Sequence, residues 1–314
     1  MIRSEETLRV LAFLAVVAIV YGAAAIVLVR HFFARPRMPL ARWSRVVLWL
    51  AAAGVLCMIY GRFIEPRWVE VTQTRVPTAR LPAGHRGVRI VHLSDIHSDP
   101  EPLLETRLPA IVAELKPDFI VFTGDAANSP GGVPVFKRCI GEIAKIAPTF
   151  CVKGNWDAWF FPELDRFEDT GATELDGTSA EVVVDGTKVR IVGAGFESAL
   201  VGFGPAFARL PADGLVVALY HPPYPDVIPP EFVKRVDLLC AGHVHGGQVA
   251  LPFYGALLTL SKYGKKYERG LYLTDEGMQM YVSRGIGMEG GSAPRVRFCS
   301  RPEVALIELV PAAR

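Results

Sequence analysis

The sequence predicts an α/β fold preceded by one or two transmembrane helices. Two observations carry that expectation. From residue 88 onward, short apolar runs each end in polar residues, and the first three alternate with helical stretches. Ahead of them, residues 10–29 are twenty residues without a charge, flanked by Arg9 and Arg30.

A helix rises about 1.5 Å per residue, so the first run spans a hydrocarbon core of about 30 Å. A cleaved signal peptide fits poorly, because the run is too long and a second one soon follows. That second run, residues 46–61, reaches spanning length if Arg62 snorkels and Phe63 and Ile64 join it, giving 46–64. Residues 1–64 are therefore expected to anchor the chain in a cell membrane. The intervening loop carries Arg30, Arg35, Arg37, Arg42 and Arg45, and positive charge prefers the cytoplasm. Against these five stand Arg3, Arg9, Arg62, Arg67, Arg75 and Arg80. The rest of the chain is placed outside the cytoplasm, with the cytoplasmic face as the alternative.

Residues 65–87 read as a linker and a first strand, punctuated by Pro66, Pro77, Pro82 and Gly84. Residues 88–93 run into Ser94-Asp95-Ile96-His97, and 119–122 into Thr123-Gly124-Asp125. Residues 150–152 lead to Lys153-Gly154-Asn155, 215–220 to His221, and 236–239 to Cys240-Ala241-Gly242-His243. Helices are expected over 103–115 and 134–146. Asp185-Gly186 marks a hairpin between 182–184 and 189–192. Residues 270–274, 280–283 and 304–309 add strands without long helices. Such continuously apolar strands belong in sheets covered on both faces.

The net charge of the 314 residues is +2, from 34 basic and 32 acidic side chains. That balance speaks against nucleic acid as a stable partner. Cys57, Cys139, Cys151, Cys240 and Cys299 form no Cys-x-x-Cys pair, so neither a zinc knuckle nor a dithiol redox site is signalled.

Five strands thus each deliver an acid, amide or histidine at the carboxyl end, where α/β sheets bind ligands. The seven candidates are Asp95, His97, Asp125, Asn155, His221, His243 and His245, more than the four that one structural zinc needs. Oxygen and nitrogen donors suit Mn, Fe or Zn. Two divalent ions about 3.5–4 Å apart need a shared bridge, for which Asp125 is the candidate. Asp95 and His97 would share one side of an extended segment, and so would His243 and His245. Gly242, Gly246 and Gly247 would let the backbone crowd the site.

Asp95-Ile96-His97, Gly124-Asp125, Gly154-Asn155, His221 and Gly242-His243-Val244-His245 occur in the order found in calcineurin-like metallophosphoesterases. Over about residues 88–310 the chain resembles that superfamily, in particular its bacterial membrane-associated branch. The resemblance implies a four-layer α/β/β/α sandwich with a mixed sheet on each side, over a catalytic domain of residues 88–314. It implies one metal on Asp95, His97, Asp125 and His245, and a second on Asp125, Asn155, His221 and His243. It also implies a hydroxide between the ions attacking phosphorus in line, with Asp125, Asn155 and His221 central to the chemistry. The family usually follows Gly-Asn with a histidine that protonates the leaving group or binds phosphate. Here Trp156 stands in that place, and an indole cannot shuttle a proton at neutral pH. A leaving group that needs little protonation, such as a phosphate in a pyrophosphate linkage, would fit, as would an acid supplied elsewhere.

Trp156, Arg284 and Arg295 are the candidate substrate contacts, with Arg297 beside them; the arginines are either bidentate donors to phosphate or, equally, solvated surface charges. Trp156, Trp159, Phe160 and Phe161 form an aromatic cluster that is either core or a lipid- or base-facing wall. His92, inside a strand, reads as a core histidine. The expected activity is metal-dependent hydrolysis of a phosphodiester or pyrophosphate, in a lipid or envelope substrate. Hydrolysis of a UDP-linked diacylglucosamine in lipid A synthesis is a specific alternative, and it requires a cytoplasmic catalytic domain. A metal-binding sensor or scaffold with little activity is the alternative of another class.

Overall fold

The computed structural model describes residues 4–33, 40–211, 213–291 and 294–312. Of the arginines counted above, Arg3, Arg35 and Arg37 lie outside the described residues. Two helices, α1 (Ser4–Phe33) and α2 (Arg42–Ile59), pack side by side, with Gly54 against Tyr21. Both are long and apolar enough to cross a membrane. Leu11, Ile19, Trp49 and Leu56 point outward, exposed. The path of α2 continues through a π turn (Tyr60–Ile64) and a 3₁₀ turn (Glu65–Arg67), past the expected end at residue 64.

Both ends of this helix pair are tied to the C-terminal part of the chain. Gly61 O accepts the Arg297 N–H at 2.9 Å. The Glu65 carboxylate accepts the N–H groups of Cys299 (2.9 Å) and Ser300 (2.5 Å). Near the start of α1, buried Glu6 accepts from Thr259 N–H at 3.0 Å and Thr259 Oγ1 at 2.6 Å.

Strands β1 (Glu70–Thr78), β2 (Val88–Leu93), β3 (Phe119–Phe122), β4 (Thr149–Cys151) and β5 (Thr173–Glu174) build the first sheet. Then come β6 (Thr178–Val184), β7 (Thr187–Gly193), β8 (Leu215–Leu219) and β9 (Leu238–Ala241). A small hairpin, β10 (Ala250–Leu251) and β11 (Gly255–Ala256), precedes β12 (Gly270–Leu273) and β13 (Gln279–Val282). The last strand, β14 (Glu303–Pro311), returns to the first sheet. The orders are β1-β14-β2-β3-β4-β5 and β12-β13-β9-β8-β7-β6. Both sheets are mixed: β2, β3 and β4 run parallel in one, β7, β8 and β9 in the other.

Alternation along β2 shows why the strands are apolar throughout. Val88 and Ile90 enter a core between the sheets, against Val189, Ile191, Leu215 and Val217. Val91 and Leu93 face the other way, under Leu108 and Val112 of α3 (Leu108–Glu114) and Phe136 and Ile140 of α4 (Val133–Ala144). The second sheet is covered in turn by Phe203 and Phe207 of α6 (Ala199–Ala208). The result is the four-layer α/β/β/α sandwich that the resemblance implied. Helix α3 starts at Leu108 rather than 103, because the Glu105 carboxylate takes the N–H groups of Leu103 and Leu104. Helix α6 and the short α5 (Asn155–Trp159) were not foreseen. The expected hairpin is there: Val184 pairs with Thr187, and Asp185 and Gly186 take φ of 47° and 80°.

Candidate metal centre

The parallel strands of each sheet deliver their loops to one edge, and there the candidates meet in two groups. Asp95, His97 and His245 form one; Asp125, His221 and His243 form the other, with ligand atoms within 4.8 Å of one another in each. Asp125 Oδ2 stands between them, 3.1 Å from His221 Nε2 and 3.5 Å from His97 Nε2. His245 Nε2 is 3.3 Å from Asp95 Oδ1. Asn155 opens α5, buried, with its Oδ1 unpartnered. The backbone just before it lies against Asp125, since a Cβ added at Gly154 would come 2.2 Å from Asp125 Oδ1.

Alternation along extended strands is not what aims these side chains. Asp95, His97, Asp125, His243 and His245 have φ between 47° and 72°, the left-handed region that non-glycine residues seldom adopt. The expectation that Asp-x-His and His-x-His act as extended pairs is thereby corrected. Each residue sits on a coiled loop tip, from which His243 and His245 still reach one group each. The tips are pinned by backbone bonds, Asp95 N–H to Gly124 O at 2.9 Å and His97 N–H to Asp125 O at 3.0 Å. The sheets are stitched by the His243 N–H, which donates to the Asp95 carboxylate at 3.0 and 3.1 Å. Gly242 permits this approach, since a Cβ there would meet Asp95 Oδ2 at 2.3 Å. Gly246 and Gly247 press instead on Arg284 and Ala256.

The outer atoms of the imidazoles set which nitrogen is free. Asn128 Nδ2 donates to His97 O (2.8 Å) and Met288 O (3.2 Å), so its Oδ1 must be what faces His97 Nδ1 at 3.0 Å. That ring nitrogen carries the proton, and buried Nε2 keeps its lone pair with no hydrogen-bond partner. His221 Nδ1 likewise donates to Thr123 O at 2.6 Å and leaves Nε2 toward Asp125. Asp157 is the central brace. Its Oδ2 accepts the N–H groups of Asp125 (2.8 Å) and Gly154 (2.9 Å), and its Oδ1 that of Ala126 (3.1 Å). Arg166 Nε sits 2.9 Å from the same carboxylate. Asn128, Asp157 and Arg166 are functional residues that the sequence did not single out. Asp157 directly follows Trp156, and Asn128 lies three residues past Asp125, which were the signals to find two of them.

Charge is closely matched. Burial pushes the Asp95 carboxyl up, against the pull of His221 and His97. For Asp125 burial also pushes upward, but His221 and His97 outweigh it and hold the carboxyl well below its usual range. Burial would depress His221, yet Asp125 and Asp95 raise it to about 9. Burial, followed by the charge of a neighbouring histidine, takes His243 down to about 3 and His245 well below its usual value. Two carboxylates facing four imidazoles, with the buried Asn155 Oδ1 beside them, is a donor set that suits a pair of intermediate divalent ions.

The arginines behave differently from expectation. Arg284, expected on phosphate, is held by Glu70 at 2.9 Å and Glu303 at 3.4 Å. Arg295 pairs with both carboxylate oxygens of Asp99. Arg297 is fully buried and donates to Gly287 O, Arg284 O and Ser300 O. Trp156 gives its backbone N–H to Asp125 Oδ1 at 2.8 Å and its indole N–H to Glu289 Oε1 at 3.3 Å, its ring edge-on to His97. His92 is buried in β2, its Nε2 2.8 Å from Thr123 Oγ1, as a core histidine.

Several known proteins are similar to this chain in sequence. The uncharacterized metallophosphoesterase YkuE of Bacillus subtilis is 30% identical over 80% of this chain and 88% of its own length. Phosphodiesterase YaeI of Escherichia coli is 28% identical over 80% of this chain and 92% of its own. UDP-2,3-diacylglucosamine pyrophosphatase LpxG of Chlamydia trachomatis is 24% identical over 82% and 94%. A family model described as calcineurin-like phosphoesterase matches residues 88–247, the stretch that carries both ligand groups. The chain therefore belongs to the calcineurin-like phosphoesterase family and is a metal-dependent phosphoester hydrolase.

Proposed function

We propose that this enzyme is anchored in a membrane by residues 1–64 and hydrolyses a phosphodiester or pyrophosphate bond of a lipid or envelope substrate. The observation that carries the reading is Asp125 Oδ2, one carboxylate oxygen between His97 of one group and His221 of the other. In this reading Asp95, His97, Asp125 and His245 hold one ion, and Asp125, Asn155, His221 and His243 the other. Two divalent cations so held, of Mn, Fe or Zn, supply a nucleophile by lowering the pKa of water from 15.7 to about 7, and positive charge for the phosphoryl oxygens. The protein's own part is to fix the spacing through Asp125 and to orient the imidazoles through Asn128 and Thr123. Trp156 offers an N–H but no exchangeable acid, which favours substrates with good leaving groups. The test is metal-dependent turnover of bis(p-nitrophenyl) phosphate by the full-length protein. Two bound ions with no hydrolysis of any diester or pyrophosphate would favour a scaffold instead.

A second reading draws on the similarity to LpxG: cleavage of a nucleoside-diphosphate-linked acyl sugar. It requires the catalytic domain in the cytoplasm, so a reporter fused at the C-terminus separates the two. An extracytoplasmic reporter rules the second out.

A further inference from the structure

A cleft of about 620 Å³ runs from His243 and His245 to α1, where Val10, Phe13 and Leu14 form one of its walls. That volume is in the range of ligand sites, about 300–1,000 Å³. Residues 10, 13 and 14 share one helix face with Glu6, one turn earlier. Glu6 is the residue that bonds Thr259, itself part of the cleft lining, so this face of α1 is fastened over the cleft. The polar groups are few, and the rest of the lining is aliphatic and aromatic. Trp159, Phe160 and Leu260 line the cleft and are also exposed, by 58%, 44% and 37%. Large apolar groups gathered at a mouth are costly in water and suit a lipid interface. Val10, Phe13 and Leu14 belong to the twenty-residue uncharged run, so the mouth lies at the edge of whatever bilayer α1 enters.

We infer that this cleft takes a hydrocarbon chain of the substrate lipid, which enters sideways from the bilayer along α1 and sets its phosphoester at His243 and His245. The first membrane helix is then a wall of the substrate site as well as an anchor. The inference rests on the phosphoesterase reading above and adds where the lipid is recognised.

The test uses two substrates with one leaving group, p-nitrophenyl ethyl phosphate and p-nitrophenyl hexadecyl phosphate, and the full-length metal-loaded protein in phosphatidylcholine nanodiscs. The readout is the ratio of kcat/KM, hexadecyl over ethyl. Val10→Phe and Val10→Trp, which fill the cleft from a half-buried position of α1, should each lower that ratio by about tenfold or more, the order expected from excluding two methylenes. Leu11→Trp, on the outward face of the same helix, should leave the ratio unchanged and controls for simple partitioning into the bilayer. A high ratio that survives both cleft variants, or a wild-type ratio near one, overturns the inference while ethyl-ester turnover keeps the phosphoesterase reading intact. Failure to hydrolyse either ester sinks both.

Discussion

The carboxylate of Asp157 and the guanidinium of Arg166 form an ion pair 2.9 Å apart with neither side chain more than 2% exposed. The pair joins two things that have no local reason to be joined. Asp157 holds the Asp125 and Gly154 loop tips, while Arg166 donates to Leu164 O, Phe160 O and Phe161 O. The metal centre and the aromatic wall beside it are thereby one mechanical unit.

Removing one partner of a buried pair leaves the other charge stranded, at a cost of about 3–5 kcal/mol. Arg166→Met should therefore lower Tm by about 10 °C, at roughly 2–4 °C per kcal/mol for a domain of this size. Thermal melts of the wild type and variant in the same detergent check this, and a shift below about 2 °C would contradict the role given to Arg166.

Asp125 is the group asked to touch both metal positions. Asp125→Asn should reduce bound metal below two ions per chain and lower kcat by about a thousandfold, roughly 4 kcal/mol of barrier. Elemental analysis beside the rate decides the matter. Full metal content with near-normal turnover is the outcome that removes Asp125 from its place.

Asn128 touches no ion in this arrangement and acts through His97. Such outer partners are typically worth about 10–100-fold in metal affinity or activity. Asn128→Ala is expected to lose that much, recovered in part by raising the metal concentration. Asn128→Asp, which keeps an acceptor for His97 Nδ1, should lose less.

Metal binding to the folded state alone stabilises it by mass action, about 4 kcal/mol at a thousand times Kd. Chelation followed by dialysis should lower Tm by about 10 °C, and Mn or Zn should restore it. A melt indifferent to chelator would mean that the two groups do not hold ions.

Trp156 occupies the place where the resemblance to the superfamily implies a histidine. General acid help is worth about 10²–10⁴-fold on a poor leaving group. Trp156→His should narrow the rate gap between p-nitrophenyl and alkyl diesters by about a hundredfold. Rates on both substrates for both proteins measure it. An unchanged gap would place leaving-group protonation elsewhere, with Glu289, the indole's partner, the next residue to vary.

Much of this site is legible in the sequence, and the reason is specific. Each candidate ligand follows an apolar strand, and a strand buried on both faces announces itself as an unbroken hydrophobic run, as residues 119–122 do ahead of Asp125. The loop tips are not legible, because a left-handed φ at Asp95 or His243 leaves no mark in residue type. Nor is the fate of the arginines. Arg295 meets Asp99 across 196 positions, and Arg284 meets Glu303 and Glu70, which come together only once β1 and β14 are laid side by side. Helix α6 is hidden because Gly202, Gly204 and Pro205 argue against a helix locally, while the packing of Phe203 and Phe207 on the second sheet overrides them.

The turn that ends α2 has a consequence for what the enzyme can reach. Gly61 and Glu65 are bonded directly to residues 297–300, so the step from the helix pair to the sandwich contains no slack. A domain on a loose tether would sweep a volume above the bilayer and cleave whatever it touched. Under the anchoring proposed above, a domain bolted in this way would hold its ligand groups at a single altitude and would select scissile bonds by their depth below or above the surface before any side chain inspects them.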